Sequence, residues 1–201
     1  TQVTITGRVQ GTDVQLGARA TQLEAHATAY GESGGAVANA DANASIDVHD
    51  KVQVLLGVGS SVMGDTVTIT ASHANVDLKS RSDADTDGLY ANAGSIAKAN
   101  YNSQNNVNSA SDSTVAAREL VVNSTQSISR IYRNATADVD VFGVESSSEP
   151  GAFEAGREID WNGNVTFLGG PTPELLIGID GTVTAENVTV SILDTEVVVD
   201  D

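Results

Sequence analysis

Three carboxylates at alternate positions, Asp83, Asp85 and Asp87, run directly into Gly88 and are the residues of this chain best suited to chemistry. Ca²⁺ takes six to eight oxygen ligands, and alternating acids that end in glycine can wrap it on a tight turn. An EF-hand loop needs a bidentate Glu at its twelfth position, and counting from Asp83 that position is Gly94, so this is not such a loop. The glycine-rich nonapeptide of calcium β-rolls is also absent. The competing reading of the run is a solvated acidic turn.

Other chemistries find less support. His26, His49 and His73 are scattered and make no metal-spaced pair, which argues against zinc. Paired carboxylates could serve glycoside cleavage, but such sites use aromatics for stacking and basic residues for uronates. Aromatics are 4% of this chain, and Lys plus Arg number 10. No nucleophile elbow, phosphate loop or nucleotide fingerprint occurs. A net charge of −17 excludes the phosphate-binding surfaces of nucleic-acid proteins and disfavours anionic membranes. Five sequons, at Asn43, Asn123, Asn134, Asn164 and Asn187, are candidate glycan acceptors.

What would position these residues is a repeat. The string V-x-x-x-x-V-x-[L/I/V]-x-[small] begins at Val9, Val62 and Val115, a constant step of 53 residues, and again at Val183 after a step of 68. The match runs on beyond the string. Leu23 falls on Val76, Gly35 on Gly88, Ala38 to Ala40 on Ala91 to Ala93, and Val48 on Tyr101. Glu32, Asp85 and Asp138 coincide, as do Gly34, Asp87 and Asp140. If one repeat is one coil, these acids stack about 4.8 Å apart, and like charges that close favour a bridging cation.

Inside each unit the pattern has period two. From Ala36 to Val48 one face is Ala, Ile and Val and the other is mostly Asn, Asp and Ser, which suits a half-buried strand and no helix. Gly31 to Gly35, Asp83 to Gly88 and Asn102 to Asn108 carry turn chemistry and are expected to separate the strands. The predicted fold is all-β, a parallel β-solenoid of repeats of about 53 residues. Small or β-branched inward residues and a constant register favour it over the alternative, a tandem β-sandwich, which wants hairpin signals and bulky inter-sheet residues. Whether a repeat makes one wide coil or two narrower ones stays open.

Residues 1–143 hold the repeats that start near 9, 62 and 115; 144–158 reads as a turn or linker; and 159–201 is a continuing β segment with Trp161 and the fourth string. Phe153, Trp161, Phe167 and Leu168 concentrate there, suited to plugging a wider core or covering a solenoid edge. There is no Cys, no stretch nears the roughly 18 apolar residues of a membrane helix, and no signal peptide is visible. The chain is expected to be an excerpt or processed piece of something longer.

GDTVTITA, AVANADANAS and TVAARELVV, with the segment from Ile159 to Val190, resemble the repeats of giant bacterial surface β-strand-repeat proteins, the filamentous-haemagglutinin-like adhesins. The resemblance covers nearly the whole chain and implies a right-handed solenoid, secretion to the cell surface and an adhesive, filamentous or matrix role. It brings no catalytic residues. The expectation is therefore a non-enzymatic structural or adhesive segment whose partners are neighbouring repeats or copies of itself. A calcium-dependent module for surface glycans is second and a solenoid polysaccharide-degrading enzyme third.

Overall fold

The computed structural model describes residues 1–141, 159–160, 163–195 and 197–200. Among them eleven strands form one sheet and there is no helix. In chain order they are β1 (Gln2–Ile5), β2 (Arg8–Gln10), β3 (Asp13–Ala20), β4 (Leu23–Leu56), β5 (Ser61–Ser109), β6 (Thr114–Val141), β7 (Ile159–Asp160), β8 (Gly163–Leu168), β9 (Pro171–Ile179), β10 (Thr182–Thr195) and β11 (Val198–Asp200). Every pairing is parallel except the two-residue β7–β8 contact. The sandwich alternative is thereby excluded, and the parallel solenoid-like architecture is the one found.

One repeat is one coil. Arg8 pairs with Ser61, Leu23 with Val76 and Leu56 with Ser109, so a 53-residue step holds from one end of the first coil to the other. The same step joins Ser61 to Thr114 and Gly88 to Val141, broken only by an irregularity between His73 and Asp77. Asn75 has φ +59° there, and its Nδ2 donates to Thr21 O at 3.2 Å. β10 continues the stack on β6 at the longer step, Val183 beside Val115. β8 and β9 lie beside β5, with Gly163 opposite Ala93 and Tyr101 opposite Pro171. The extra length of the third coil thus falls between Val141 and Gly163. The linker at 144–158, Phe153 and Trp161 lie outside the described residues.

Each coil is flattened. Its outgoing and return arms face one another, as the 2.5 Å contact of Ser82 Oγ with Ser95 Oγ shows, together with Thr86 Oγ1 donating to Asn92 O at 3.1 Å. The interior tapers. At the base it is filled by Val14, Leu16, Val54, Leu56, Val67 and Leu120. Midway come Leu78, Tyr101 and Ile131, and near the tip only Ala40, Ala42, Ala84, Ala93 and Val139. The alanine richness follows from this taper: a Cβ on Gly31 would sit 2.7 Å from Asp41 O. Phe167 is buried against Ala97 and Ala135, while Leu168 is exposed.

The expected turns need correction. Gly31 to Gly35, Asp83 to Gly88 and Asn102 to Asn108 all lie inside unbroken strands. Gly, Asn and Asp favour turns only as a local preference, and here ladder bonds to the residues 53 places away satisfy the backbone and override it. The chain bends around the tip at Gly35, φ +145°, without leaving the ladder. It breaks instead at 57–60, 110–113 and 180–181. These turns also stack: Ser61 N bonds Gly7 O, Thr114 N bonds Ser60 O, and Thr182 N bonds Ser113 O.

Candidate functional site

Parity along β5 sets what each acid can do. Asp83, Asp85 and Asp87 all point outward from an extended strand, spaced about 6.8 Å apart. No tight loop forms, so any cation would have to bridge between coils. The ladder does place Glu32, Asp85 and Asp138 in one column, and Gly34, Asp87 and Asp140 in the next. Asp83 stands between Tyr30 and Thr136. Its Oδ1 accepts a 2.5 Å hydrogen bond from Thr136 Oγ1, and Arg81 Nη2 lies 4.0 Å from Oδ2. Glu32, Asp85 and Asp138 are exposed; the Asp140 side chain lies outside the described residues. Among the described residues no three acidic or imidazole side chains are placed to hold a metal ion.

The outer face is knitted across coils by polar ladders. Arg118 grips Asp65 through Nε at 2.8 Å and Nη2 at 3.0 Å. Arg130 grips Asp77 in the same bidentate way, and Asn92 Nδ2 donates to Asn39 Oδ1 at 2.9 Å. The guanidinium of Arg118 holds the Asp65 carboxyl below its ordinary range. The sequons lie on strands: Asn43 and Asn187 are exposed, Asn123 and Asn134 half-buried, and the Asn164 side chain is outside the described residues.

Sequence reasoning missed a buried polar stack in mid-coil. His26 and His49 are exposed beside Glu24 and Asp47, but the His73 side chain is 1% exposed. Its Nδ1 lies 2.5 Å from Asp50 Oδ2 and 2.9 Å from the Tyr101 hydroxyl, while Nε2 has no hydrogen-bond partner. Beside them, Ser103 Oγ of the second coil donates to Gln126 Oε1 of the third, which also receives Asn105 Nδ2 at 3.3 Å. The signal was available in the parity. His73 follows Val67, Ile69 and Ala71 on the inward face, and Asp50 stands between Val48 and Val52.

Asp, His and Tyr in mutual contact are the types of an acid–base relay, but the ring is shut away from solvent. What the group does is fasten the first, second and third coils together through the interior. Burial pushes the His73 pKa below its usual value, against the opposing pull of Asp50, and pushes the Tyr101 phenol far above its own. Between the lowered value and about 6.5, the unfolded chain binds the extra proton and the folded chain does not. Stability from this site is therefore complete above that window and is lost as the pH falls through it. Melting temperature measured from pH 7.5 down to 5 should fall more steeply for the native chain than for His73→Gln. Parallel curves would show that His73 charges freely in the fold.

A groove is lined by His49 and Asn102, by Lys51, Gln104 and Glu174, and by Asp50 and Ser103 between them. Gln104 Nε2 donates to Glu174 Oε2 at 3.0 Å across adjacent coils. No protein-family model, no curated protein and no solved structure matches the chain.

Proposed function

We propose that the chain is a structural and adhesive segment of a large secreted or cell-surface protein, its role carried by a continuous parallel ladder rather than by a pocket. The supporting observation is the pairing of β4 with β5, in register from Leu23 to Leu56. A coil adds only about 4.8 Å of rise, whereas an arm of roughly 22 residues spans on the order of 70 Å if straight. Such coils build breadth and stiffness more than reach. The low aromatic content and the bidentate Arg–Asp clamps between coils agree with a wall of this kind. Immuno-labelling with electron microscopy of the native source should place the chain outside the cell, in uniform fibres or a surface layer. A chain confined to the cell interior, or one that degrades polysaccharide, would overturn the proposal.

The column of Glu32, Asp85 and Asp138 favours a second reading, a calcium-dependent module for surface glycans. It requires a cation bridging neighbouring coils and so predicts that millimolar Ca²⁺ raises the melting temperature of the native chain but not of Asp85→Ala. The structural proposal expects no difference between the two.

A further inference from the structure

We propose that Ser103 and Gln126 join covalently once the chain folds, the serine oxygen displacing ammonia from the glutamine carboxamide to leave an ester between the second and third coils. The buried polar stack around them carries the groups that this step needs.

Nucleophile and carbonyl are already together. Ser103 Oγ, on the return arm, is in hydrogen-bond contact with Gln126 Oε1 on the outgoing arm. Asn105 Nδ2 donates to the same Oε1 at 3.3 Å and to Thr125 O at 3.2 Å, so a donor that is itself held in place polarises the carbonyl. Gln126 Nε2, the departing group, has no hydrogen-bond partner among the described residues. A buried amide N–H left unpaired is costly to keep, and its loss as ammonia removes that cost. Ser103 and Gln126 are each 2% exposed, so a finished ester is shielded from hydrolysis.

The proton path is present as well. Along the ladder Asp50 pairs with Ser103 and His73 with Gln126, so acid and imidazole stand one coil away from the reacting pair. The Tyr101 hydroxyl connects the two layers: it lies 2.9 Å from His73 Nδ1 and hydrogen-bonds Ser103. As Oγ bonds to Cδ, the Ser103 proton passes to the Tyr101 oxygen and the phenol proton passes to His73 Nδ1. The carbonyl electron pair moves onto Oε1. Asp50 Oδ2, 2.5 Å from Nδ1, accepts the new N–H. When the pair on Oε1 re-forms the double bond, the Cδ–Nε2 bond breaks. Nε2 keeps that bond's electrons, recovers the proton by the same path and leaves as ammonia. Hydroxyl plus carboxamide gives ester plus ammonia, with no oxidant or cofactor. Burial keeps the imidazole neutral at pH 7, as a proton acceptor must be.

Mass spectrometry of the denatured chain tests the bond. The native chain should be lighter than its sequence by one ammonia, about 17 Da, and Ser103→Ala should have its full mass. Trypsin cuts after Lys98, Arg118 and Arg130, which puts Ser103 on fragment 99–118 and Gln126 on fragment 119–130. After complete digestion the two fragments should travel as one species, and alkaline hydroxylamine should separate them. Tyr101→Phe keeps the ring but cuts the relay, and should form the bond roughly a hundredfold more slowly, so that the freshly purified variant carries mostly the full mass. A native chain of full mass overturns the proposal. So does a loss of ammonia with the two fragments separate, which would mark ring closure at an asparagine. A Tyr101→Phe chain that is linked as completely as the native one on purification overturns the relay. If Ser103→Ala does not fold, the linked fragments of the native chain decide alone.

Discussion

Leu78→Ala is expected to lower the free energy of unfolding by about 2–5 kcal/mol, and Thr68→Ala, ten residues away on the opposite face, by no more than about 0.5 kcal/mol. Leu78 is 0% exposed in the middle coil. Ala25 and Ile131 lie in line with it above and below, and Tyr101 belongs to the same cluster. Truncation removes apolar atoms that neighbours on two sides cannot follow, because each is held by its own ladder bonds, so the cavity persists and its cost adds to the lost transfer energy. Thr68 points outward between Gln15 and Val121. Urea unfolding of the two variants reads the difference in midpoint at constant slope. Comparable losses would mean that the alternation does not set inside and outside. A slip of one residue would exchange the faces of the whole strand.

Ala84→Leu should destabilise the fold by about 1–3 kcal/mol, while Ala25→Leu, the same change of chemistry, should be close to neutral. Ala84 is fully buried in the narrow tip with Ala93 and Ala42 around it. Gly31, directly above it, has no room for even a methyl group against Asp41. Added carbons there must push the two arms apart along several coils at once. Ala25 is half-buried in the wider part of the first coil, with Leu78 beside it in the second. Thermal melts of the two variants separate the outcomes. If Ala84→Leu were tolerated, the two arms would not be in close contact at the tip.

The repeat step and the alternation were legible because they are properties of the chain in one dimension. A parallel coil pairs each residue with its equivalent one unit on, so the step that aligned Leu23 with Val76 in the sequence is the step that bonds them in the sheet. The same alternation would have placed His73 and Asp50 inside, since both sit in phase with valines and isoleucines. Their polarity pointed outward, and polarity is the weaker guide where a partner is waiting across the interior.

The acidic run shows the reverse. Asp83, Asp85 and Asp87 have the composition of a loop, and nothing local distinguishes a turn from an outward strand face. Backbone pairing with Tyr30 to Gly34 on one side and Thr136 to Asp140 on the other decides for the strand. Pairing partners 53 residues away are beyond the reach of any local preference.

Composition, alternation and a constant 53-residue step by themselves determined an all-β parallel stack, which side of each strand faces inward, and which acids share a column. Tertiary structure alone decided that a unit closes as one flattened coil, that the glycine- and aspartate-rich stretches run through as strand, and that Asp50, His73 and Tyr101 meet inside. The reason is that a strand's faces follow from its own residues, whereas the way two arms of a coil fold toward each other depends on how thick the side chains between them are. Here that thickness falls from Val, Leu and Ile at the base to Ala at the tip.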